Sequence, residues 1–589
     1  MTWEAWLTLA VLVGTLVFLA REVMPPSVTV LSAGVVLLVA GVLTPEQAFS
    51  GFSNPAPITV AALFVLARAV DKTGALQPLV AGTLGRGRSA RGALTRVLFP
   101  TAAASAFLNN TPIVAMLVPQ VSDWAQRHGL SPSRFLMPIS YAAILGGVVT
   151  AIGTSTNLVV SGLLEANGLE PLGMFELSRI GLPLAVAGVI LLILLAPVLL
   201  TERRPARLPI GEEMREFAVS MRVKTGGPLD GVTVEEGGLR HLEGVFLVEI
   251  ERDGEIIAPV TPTTVLHGGD RLVFVGRVDL IVDLQATRGL VSSEEPHLSD
   301  LDTARHTFFE VVVGPASPLV GKTLREVQFR SRFQAAVIAI HRAGERVRAK
   351  LGGVRLRVGD TLVLLSDRDF RERWRERNVF LLVSRLGGTP PTATTHAALV
   401  GVVTLAIVLG AAAGVLPILH LSLLGAMGLV LMGVLTPGEA RNSVDLDVIL
   451  VIAGAFGLGA AMEVSGLAAT VADLLVRVLG RYGSLGGLLG VVLATVALSN
   501  VISNNATAVL MFPVALATAA ELGANPRAFA VAVAVTASAS FLSPIAYQTN
   551  LMVYGPGGYR FGDYARLGAP LTVLVILGVV LVVPWAWGL

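Results

Sequence analysis

The chain of 589 residues contains no cysteine. That absence excludes disulfides, Cys-ligated zinc and thiol redox chemistry. Charge is scarce too. Asp, Glu, Lys and Arg make up 15% of the residues, where a soluble domain carries about 25%. Eight histidines are scattered with no H-x-x-x-H pair, so a His-built metal site is not expected. The net charge of +2 says little about partners. No nucleic-acid partner is expected, and no hydrolytic constellation occurs, so the chain does not read as an enzyme.

What is abundant is apolar surface: 53% of residues are hydrophobic, with a mean hydropathy of +0.71. Long apolar runs lie at 5–20, 179–200, 397–416 and 567–587. Each, with its flanks, can cross a hydrocarbon core of about 30 Å as a helix. The fold class is therefore a polytopic α-helical membrane protein. The first run is preceded by Trp3 and Glu4 rather than a basic segment, so it reads as a span and not as a cleaved signal peptide.

Composition changes at Glu202. From there to about Pro391 the chain is charged and carries short strand-like runs, VFLVEIE, DRLVFVG, FFEVVVG and DTLVLLS. This stretch repeats internally, each copy running strand, Gly/Pro turn, short helix, strand, G-D, strand. Copies of about 70–85 residues fit small α/β modules. Four domains are expected: 1–201 and 392–589 in the membrane, 202–300 and 301–391 in the insert.

The membrane halves repeat as well. GVLTP occurs at 41 and 433, and DKTGAL at 71 answers EVSGLA at 463. NNTPIVAMLVP at 109 answers SNNATAVLMFP at 503, and TNLVVSG at 156 answers TNLMVYG at 549. These offsets of 392 to 394 residues mark an internal duplication, a common transporter architecture. Lys and Arg concentrate on cytoplasmic loops. Arg203, Arg204 and Arg207 open the insert, which places it in the cytoplasm of a cell (inner) membrane protein. Walking back through five spans and one re-entrant hairpin keeps Arg21, Arg68, Lys72, Arg86, Arg88, Arg91, Arg96 and Arg134 inside, and puts Glu165, Glu170 and Glu176 outside. The second half then runs the other way, with only Arg477, Arg481 and Arg527 outside, so the repeats are expected to be inverted.

Polar backbone within a bilayer survives only where it is buried in protein or lines a cavity. Segments 92–120 and 485–520 each read as helix, turn, helix. Their legs of about 15 residues are short of a full span, and their tips are Asn109-Asn110-Thr111 and Ser503-Asn504-Asn505. A second polar break follows each hairpin, GGVVTAIGTSTNL from Gly146 and ASASFLSPIAYQTNL from Ala537. Paired broken helices at matching positions point to a transport site, with helix N-termini for an anion and freed carbonyls for a cation. The alternative for any one Ser, Thr or Asn is helix–helix adhesion.

These tips and breaks, in this order, resemble the divalent-anion:sodium symporter family over both membrane halves. The resemblance implies a homodimeric elevator transporter that takes up sulfate or dicarboxylate with Na⁺. It places one Na⁺ among Ser105, Asn109, Asn110 and the Gly153 turn, and a second among Ser499, Ser503, Asn504 and Ser543. The anion falls near Asn110, Thr111, Thr154, Asn504, Asn505 and Pro544. Asn109 and Asn505 depart from the family's tips, which have Ser and Thr there; the extra amide suits a compact oxyanion. The dimer is expected through spans 5–22, 27–43, 397–415 and 418–434.

The insert, through SPLVGKTLREVQFRSRFQAAVIAIHR and LRVGDTLVLLS, resembles two TrkA-C (RCK C-terminal) domains. A small cytoplasmic ligand, a nucleotide, is expected there, meeting Arg330, Arg332, Arg342, Arg346 and Arg348 or else leaving them as a solvated basic face. PASPLVGKT is not a P-loop, since Ala316 stands where the first Gly is needed. Asp71 and Glu463 are matched acids at span ends, either helix caps or proton carriers. The latter would favour the alternative function, a proton- or sodium-coupled antiporter such as arsenite efflux or Na⁺/H⁺ exchange. A channel gated by the insert is the third reading, and no T-V-G-Y-G filter supports it.

Overall fold

The computed structural model describes residues 2–21, 24–75, 90–128, 130–202, 218–239, 245–252, 255–257, 260–276, 289–292, 306–314, 317–342, 345–347, 351–367, 370–374, 379–385, 396–479 and 482–589. Leu76, Arg86, Arg88, Arg203, Arg204, Arg207, Ala316, Arg348 and Arg481, on which expectations rested, lie outside the described residues. Two compact units form, one from 1–203 with 389–589 and one from 204–388.

The first unit is helical. Its first half holds α1 (Trp3–Ala20), α2 (Pro26–Val39), α3 (Pro45–Ala48), α4 (Pro55–Thr73), α5 (Ala90–Ser105), α6 (Asn110–Arg127), α7 (Leu136–Gly147), α8 (Ser155–Ala166) and α9 (Ser178–Leu199). Its second half holds α10 (Ala397–Ala412), α11 (Ile418–Leu431), α12 (Pro437–Ser443), α13 (Leu446–Val464), α14 (Leu467–Leu479), α15 (Gly483–Ser499), α16 (Asn504–Glu521), α17 (Pro526–Ala537), α18 (Gln548–Tyr554) and α19 (Phe561–Trp587). Apart from α14, the described residues of the two halves run through the same series. The same local chemistry starts matching helices. Thr44 with Gln47 and Thr436 with Glu439 form capping boxes at α3 and α12, each satisfying two otherwise unpaired donors. Asn54 and Asp445 cap α4 and α13.

By length and composition α9, α13 and α19 suffice to cross a membrane singly. Helix α4 is as long as α13 but carries Arg68, Asp71 and Lys72, the others are shorter, and α14 and α15 meet at 119°. Large apolar side chains stand exposed on α1, α2, α9, α10, α11 and α19, among them Trp3, Val39, Val198, Leu405, Leu431 and Trp585, as lipid-facing helices require. In contrast, α7 is buried along its whole length and α17 from Ala528 to Ala537. The halves pack by exchange. Helix α2 lies on α13 while α11 lies on α4, and α8 lies on α16 while α18 lies on α6. The α4 contact is an apolar seam in which Leu66 and Val70 meet Ile407, Ala426 and Leu429.

The second unit carries two antiparallel five-stranded sheets of identical topology. The first, ordered β3-β2-β4-β1-β5, uses β1 (Ala218–Val223), β2 (Val245–Arg252), β3 (Glu255–Ile257), β4 (Arg271–Gly276) and β5 (Leu290–Ser292). The other, ordered β10-β6-β9-β7-β8, uses β6 (His306–Val313), β7 (Ala335–Arg342), β8 (Glu345–Arg346), β9 (Thr361–Asp367) and β10 (Phe380–Arg385). Both are bulged at the same place, between Leu247 and Glu249 and between Val337 and Ala339. Each is locked by one buried ion pair. Arg252 grips Asp270 through Nε at 2.8 Å and Nη2 at 2.7 Å, and Arg342 grips Asp360 at the same two distances. Both aspartates are nearly fully buried, so the two-pronged guanidinium contact compensates their desolvation.

Candidate functional site

The hairpins α5–α6 and α15–α16 bring two tips together with the breaks between α7 and α8 and between α17 and α18. The tips differ from expectation in one respect. Asn110 and Asn504 are not in the turn but are the first residues of α6 and α16, and Ser503 caps α16 by accepting from Ala506 N. Asn and Ser stop one helix and start another because their side chains replace missing backbone partners.

Each break is pinned by one asparagine in the same way. Asn157 Nδ2 donates to the carbonyls of Gly147 at 3.1 Å and Thr150 at 2.8 Å. Asn550 Nδ2 donates to those of Ser540 at 2.7 Å and Ser543 at 3.2 Å. The donors lie ten and seven residues after their acceptors in both halves. Further bonds fix the first break, from Thr150 Oγ1 to Ala106 O and from Ser178 Oγ to Val149 O at 2.7 Å. The second is held by Tyr141 Oη on Phe541 O at 2.6 Å and by Tyr564 Oη on Asn550 O at 2.7 Å.

In the first half an oxygen cluster forms around Asn110. Ser105 Oγ lies 2.6 Å from the Asn110 amide, Ala143 O 3.2 Å and Gly153 O 3.3 Å. The approach is tight. A Cβ on Gly153 would sit 2.5 Å from Gly147 O and 2.9 Å from Ser105 O, and one on Gly147 would sit 2.7 Å from Asn110 Oδ1. Hydroxyl, amide and carbonyl oxygens without a carboxylate suit a hard monovalent cation such as Na⁺. The second half repeats this around Asn504, whose Oδ1 accepts from Ser540 Oγ at 2.5 Å, with Ser499 Oγ 3.1 Å from Ser540 Oγ. Ser540 thus stands where the first half has Gly147.

Between the clusters the side chains pair across the halves. Thr111 Oγ1 donates to Gln548 Oε1 at 3.3 Å, and Asn505 Oδ1 accepts from Ser155 Oγ and Thr156 Oγ1, each at 3.1 Å. Asn110 reaches Tyr547 Oη at 2.9 Å. The N-termini of α6, α8 and α16 meet here, each a partial positive charge with unbonded N–H groups. None of these hydrogen-bonding partners is charged. The arrangement can hold an oxyanion by hydroxyl, amide and peptide donors, with its charge balanced by helix ends and by cations in the flanking clusters.

The structure therefore brings Ser105, Asn110 and Gly153 together, and likewise Ser499 and Asn504 through Ser540, whereas Ser503 is exposed and caps α16. Ser543 contributes its carbonyl to Asn550, with Pro544 buried beside it. Asn109 does not join the first cluster. Its Oδ1 accepts from Thr111 N at 3.4 Å, and it lines a small apolar cavity with Phe107, Leu108, Leu63 and Ile407. Tyr547, Gln548, Ser155, Thr156 and Ser540 were not singled out from sequence.

In the second unit, Arg342 is not a free cation, because Asp360 and the Arg355 carbonyl engage it. That bond to Asp360 raises its pKa above the ordinary arginine value, against the effect of burial. Arg330 donates to Val260 O at 3.4 Å, Arg332 lies 5.6 Å over the Phe333 ring, and Arg346 sits on β8. A concave surface of about 530 Å³ is lined by Lys322, Glu326, Gln328, Ser331 and Arg332. Of the matched acids, Asp71 pairs with Arg68 at 3.3 Å and Glu463 is exposed at the end of α13.

Apolar helices around a buried polar centre, with broken helices at its middle, make this a multi-pass membrane transport protein. The chain belongs to the citrate transporter family, whose model matches residues 16–534. The transmembrane region of the sodium:sulfate symporters matches residues 491–589. An uncharacterised transporter of Synechocystis sp. is 37% identical over 99% of this chain and 97% of its own length. A putative sulfur deprivation response regulator of Chlamydomonas reinhardtii is 35% identical over 95% of this chain and 97% of its own. Sodium/sulfate cotransporter 1 of the same alga is 25% identical over 100% of this chain and 90% of its own.

Proposed function

We propose that the protein is a sodium-coupled symporter of a small divalent oxyanion, sulfate first and dicarboxylate second. The observation that carries this is the pair of oxygen clusters flanking a centre of helix N-termini that has no fixed positive side chain. An anion of charge −2 placed there needs cations nearby, because partial charges of about half a unit per helix end do not balance it alone. Two Na⁺ sites, Ser105–Asn110–Gly153 and Ser499–Asn504–Ser540, meet that need. The relatives named as sodium/sulfate cotransporters support sulfate over the other oxyanions.

In this reading the halves are inverted repeats, and the buried tips and breaks move as one body against the lipid-facing α1, α2, α10 and α11, which also form the homodimer. The insert is a cytoplasmic TrkA-C-like pair that binds a nucleotide and shifts the transport equilibrium by its difference in affinity for the two states. Arg330 and Arg332 remain its candidate ligands. The test is uptake of labelled sulfate, succinate and citrate by the reconstituted full-length protein, with Na⁺ or choline outside. Sodium-dependent sulfate uptake is expected; uptake of every anion unchanged in choline would overturn the reading. Excising residues 210–385 behind a flexible linker tests regulation separately, since a truncated protein that transports like the intact one under every nucleotide leaves the insert a spacer.

A further inference from the structure

Asn54 makes two bonds at once. Its Oδ1 accepts from Ala56 N at 2.9 Å and so caps α4, and its Nδ2 donates to Gly162 O within α8 at 3.0 Å. The Ala56 N–H requires an oxygen, which fixes the sense of the amide. Asn54, Ala56 and Gly162 are all buried, and the approach is close. A Cβ on Gly162 would sit 2.4 Å from Asn54 Oδ1 and 2.9 Å from the Ala56 Cβ, so only glycine lets α8 come this near.

The bond joins helices with different attachments. Helix α4 is fixed to α10 and α11 by the seam in which Leu66 and Val70 meet Ile407, Ala426 and Leu429. Helix α8 follows the first break, and its start is tied to the second hairpin tip, since Ser155 and Thr156 both donate to Asn505. The duplicated positions behave otherwise. Asp445 caps α13 by accepting from Val448 N at 3.3 Å, and α13 lies on the hairpin leg α16. Gly555 ends TNLMVYG as Gly162 ends TNLVVSG, and its carbonyl accepts from Gly558 N at 2.9 Å. Among the described residues no hydrogen bond joins Asp445 to Gly555. A carboxylate is an acceptor only, so Asp445 has no proton to offer a peptide oxygen.

We propose that Asn54 and Gly162 form a one-sided latch, which holds the body of tips and breaks against α4 in one of its two positions and has no equivalent in the other. This rests on the reading above, in which that body moves against the lipid-facing helices. For the body to leave, α8 must slide off α4, and a buried amide proton loses its partner. In an inverted duplication the opposite position brings α13 onto α18 as α4 now lies on α8. There the cap is Asp445, two acceptors face each other, and no bond forms. The exchange of Asn for Asp at one cap thus biases the equilibrium toward the position in which α4 holds α8.

The chain has no cysteine, so two introduced cysteines can carry spin labels without further change. Glu46 on α3 and Ala166 at the end of α8 are exposed, and α3 lies on α2 and α13. Glu46→Cys with Ala166→Cys therefore reports the distance between the two bodies, in full-length protein in liposomes, with Na⁺ and sulfate present or absent. Two variants break the latch from opposite sides. Asn54→Asp keeps the oxygen that caps α4 and removes the donor. Gly162→Ala puts a methyl group where Asn54 and Ala56 stand. The latched population is expected to fall relative to the other by about 2- to 10-fold in Asn54→Asp, the worth of one hydrogen bond, and by at least that much in Gly162→Ala. Where the wild type shows two distances, a folded variant of either kind that keeps the wild-type ratio, or gains latched population, overturns the latch. A single distance common to the wild type and both variants, whatever is bound, overturns the moving-body reading instead.

Discussion

Replacing Asn157 by leucine tests whether the break between α7 and α8 is a built cation site or only a kink. Leucine has the same branched skeleton, so the change removes hydrogen bonds without opening a cavity, and its bulkier methyl groups add some packing strain. Asn157 is fully buried and its Nδ2 holds two carbonyls at 2.8 and 3.1 Å. Each such bond contributes about 0.5–1.5 kcal/mol net, so about 1–3 kcal/mol of the break's preorganisation is lost. If Na⁺ binding must then supply that ordering, Na⁺ affinity falls roughly 5- to 150-fold, at tenfold per 1.4 kcal/mol. Asn550→Leu removes the matching pair and also the acceptor of the Ser140 hydroxyl at 2.7 Å, so its effect is expected to be the larger. Asn167→Leu, whose amide only bonds Leu163 O in its own helix, serves as the control. The assay is binding of ²²Na⁺ to detergent-solubilised protein of wild-type elution profile. Na⁺ binding at the wild-type level in folded Asn157→Leu and Asn550→Leu would refute the argument.

Arg527→Ala is expected to lower thermal stability by about 1–3 kcal/mol, because it breaks a two-pronged pair with Glu176, at 2.6 Å on both contacts, that leaves Glu176 largely buried; Arg527→Lys is expected to recover little of it, lacking the fork. In the insert, burial opposes the charged form of Asp270, but the Arg252 bond and the His267 N–H outweigh it and hold the carboxyl below its usual range. Its stabilising contribution is therefore present at neutral pH and lost as pH falls through that depressed value, and hydrogen-exchange protection of β2 and β4 in the intact protein, which should fall more on acidification in the wild type than in an already loosened Arg252→Ala, checks it. Glu310 has the opposite sign. It lies on the β6 face that carries the fully buried Val312, and burial pushes its carboxyl up to about 7. Stability is then full below pH 4.5 and declines as pH rises through about 7, so Glu310→Gln is expected to slow exchange of β6 at pH 8 and leave it unchanged at pH 4.

The parts of this architecture that were legible are those written in local composition. Apolar runs and the shared offset of 392 to 394 residues mark the two halves, and the Gly- and Asn-rich breaks mark where helices stop. What was not legible is which side chain meets which. Asn109 and Asn110 are neighbours of one type, and no periodicity tells that the first caps the helix while the second enters the cluster. Tyr547 and Gln548 meet Asn110 and Thr111 across 437 residues, a pairing created by the exchange of α6 and α18 between halves. Arg342 read as a ligand-facing base because its sequence neighbours are basic. A comparison of the two insert copies contains the correction, since Arg252 and Asp270 repeat the same spacing of 18 residues as Arg342 and Asp360.

The small differences between the halves bear most on function. A strict duplication would give two equivalent cation sites, and nothing in either would favour an order of binding. The replacement of Gly147 by Ser540 breaks that equivalence. It gives the Asn504 amide a hydroxyl partner inside its own half, which holds its oxygen in place whatever else is bound. In the first half the hydroxyl on the amide comes from Ser105 instead, and Asn110 is also held from the other half by Tyr547, a residue whose counterpart is the smaller Thr154. The second cluster is thus closed within its own half, whereas the first rests in part on a contact across the halves. A cation entering the second meets partners already fixed together, whereas one entering the first must also fix that contact. Substituting Ser540 by glycine makes the halves more alike, and Na⁺ titrations of Ser540→Gly should then show the tighter of two sites weakened toward the looser. Two sites that keep their wild-type separation in that variant would mean that the asymmetry of the fold is not the origin of any asymmetry in binding.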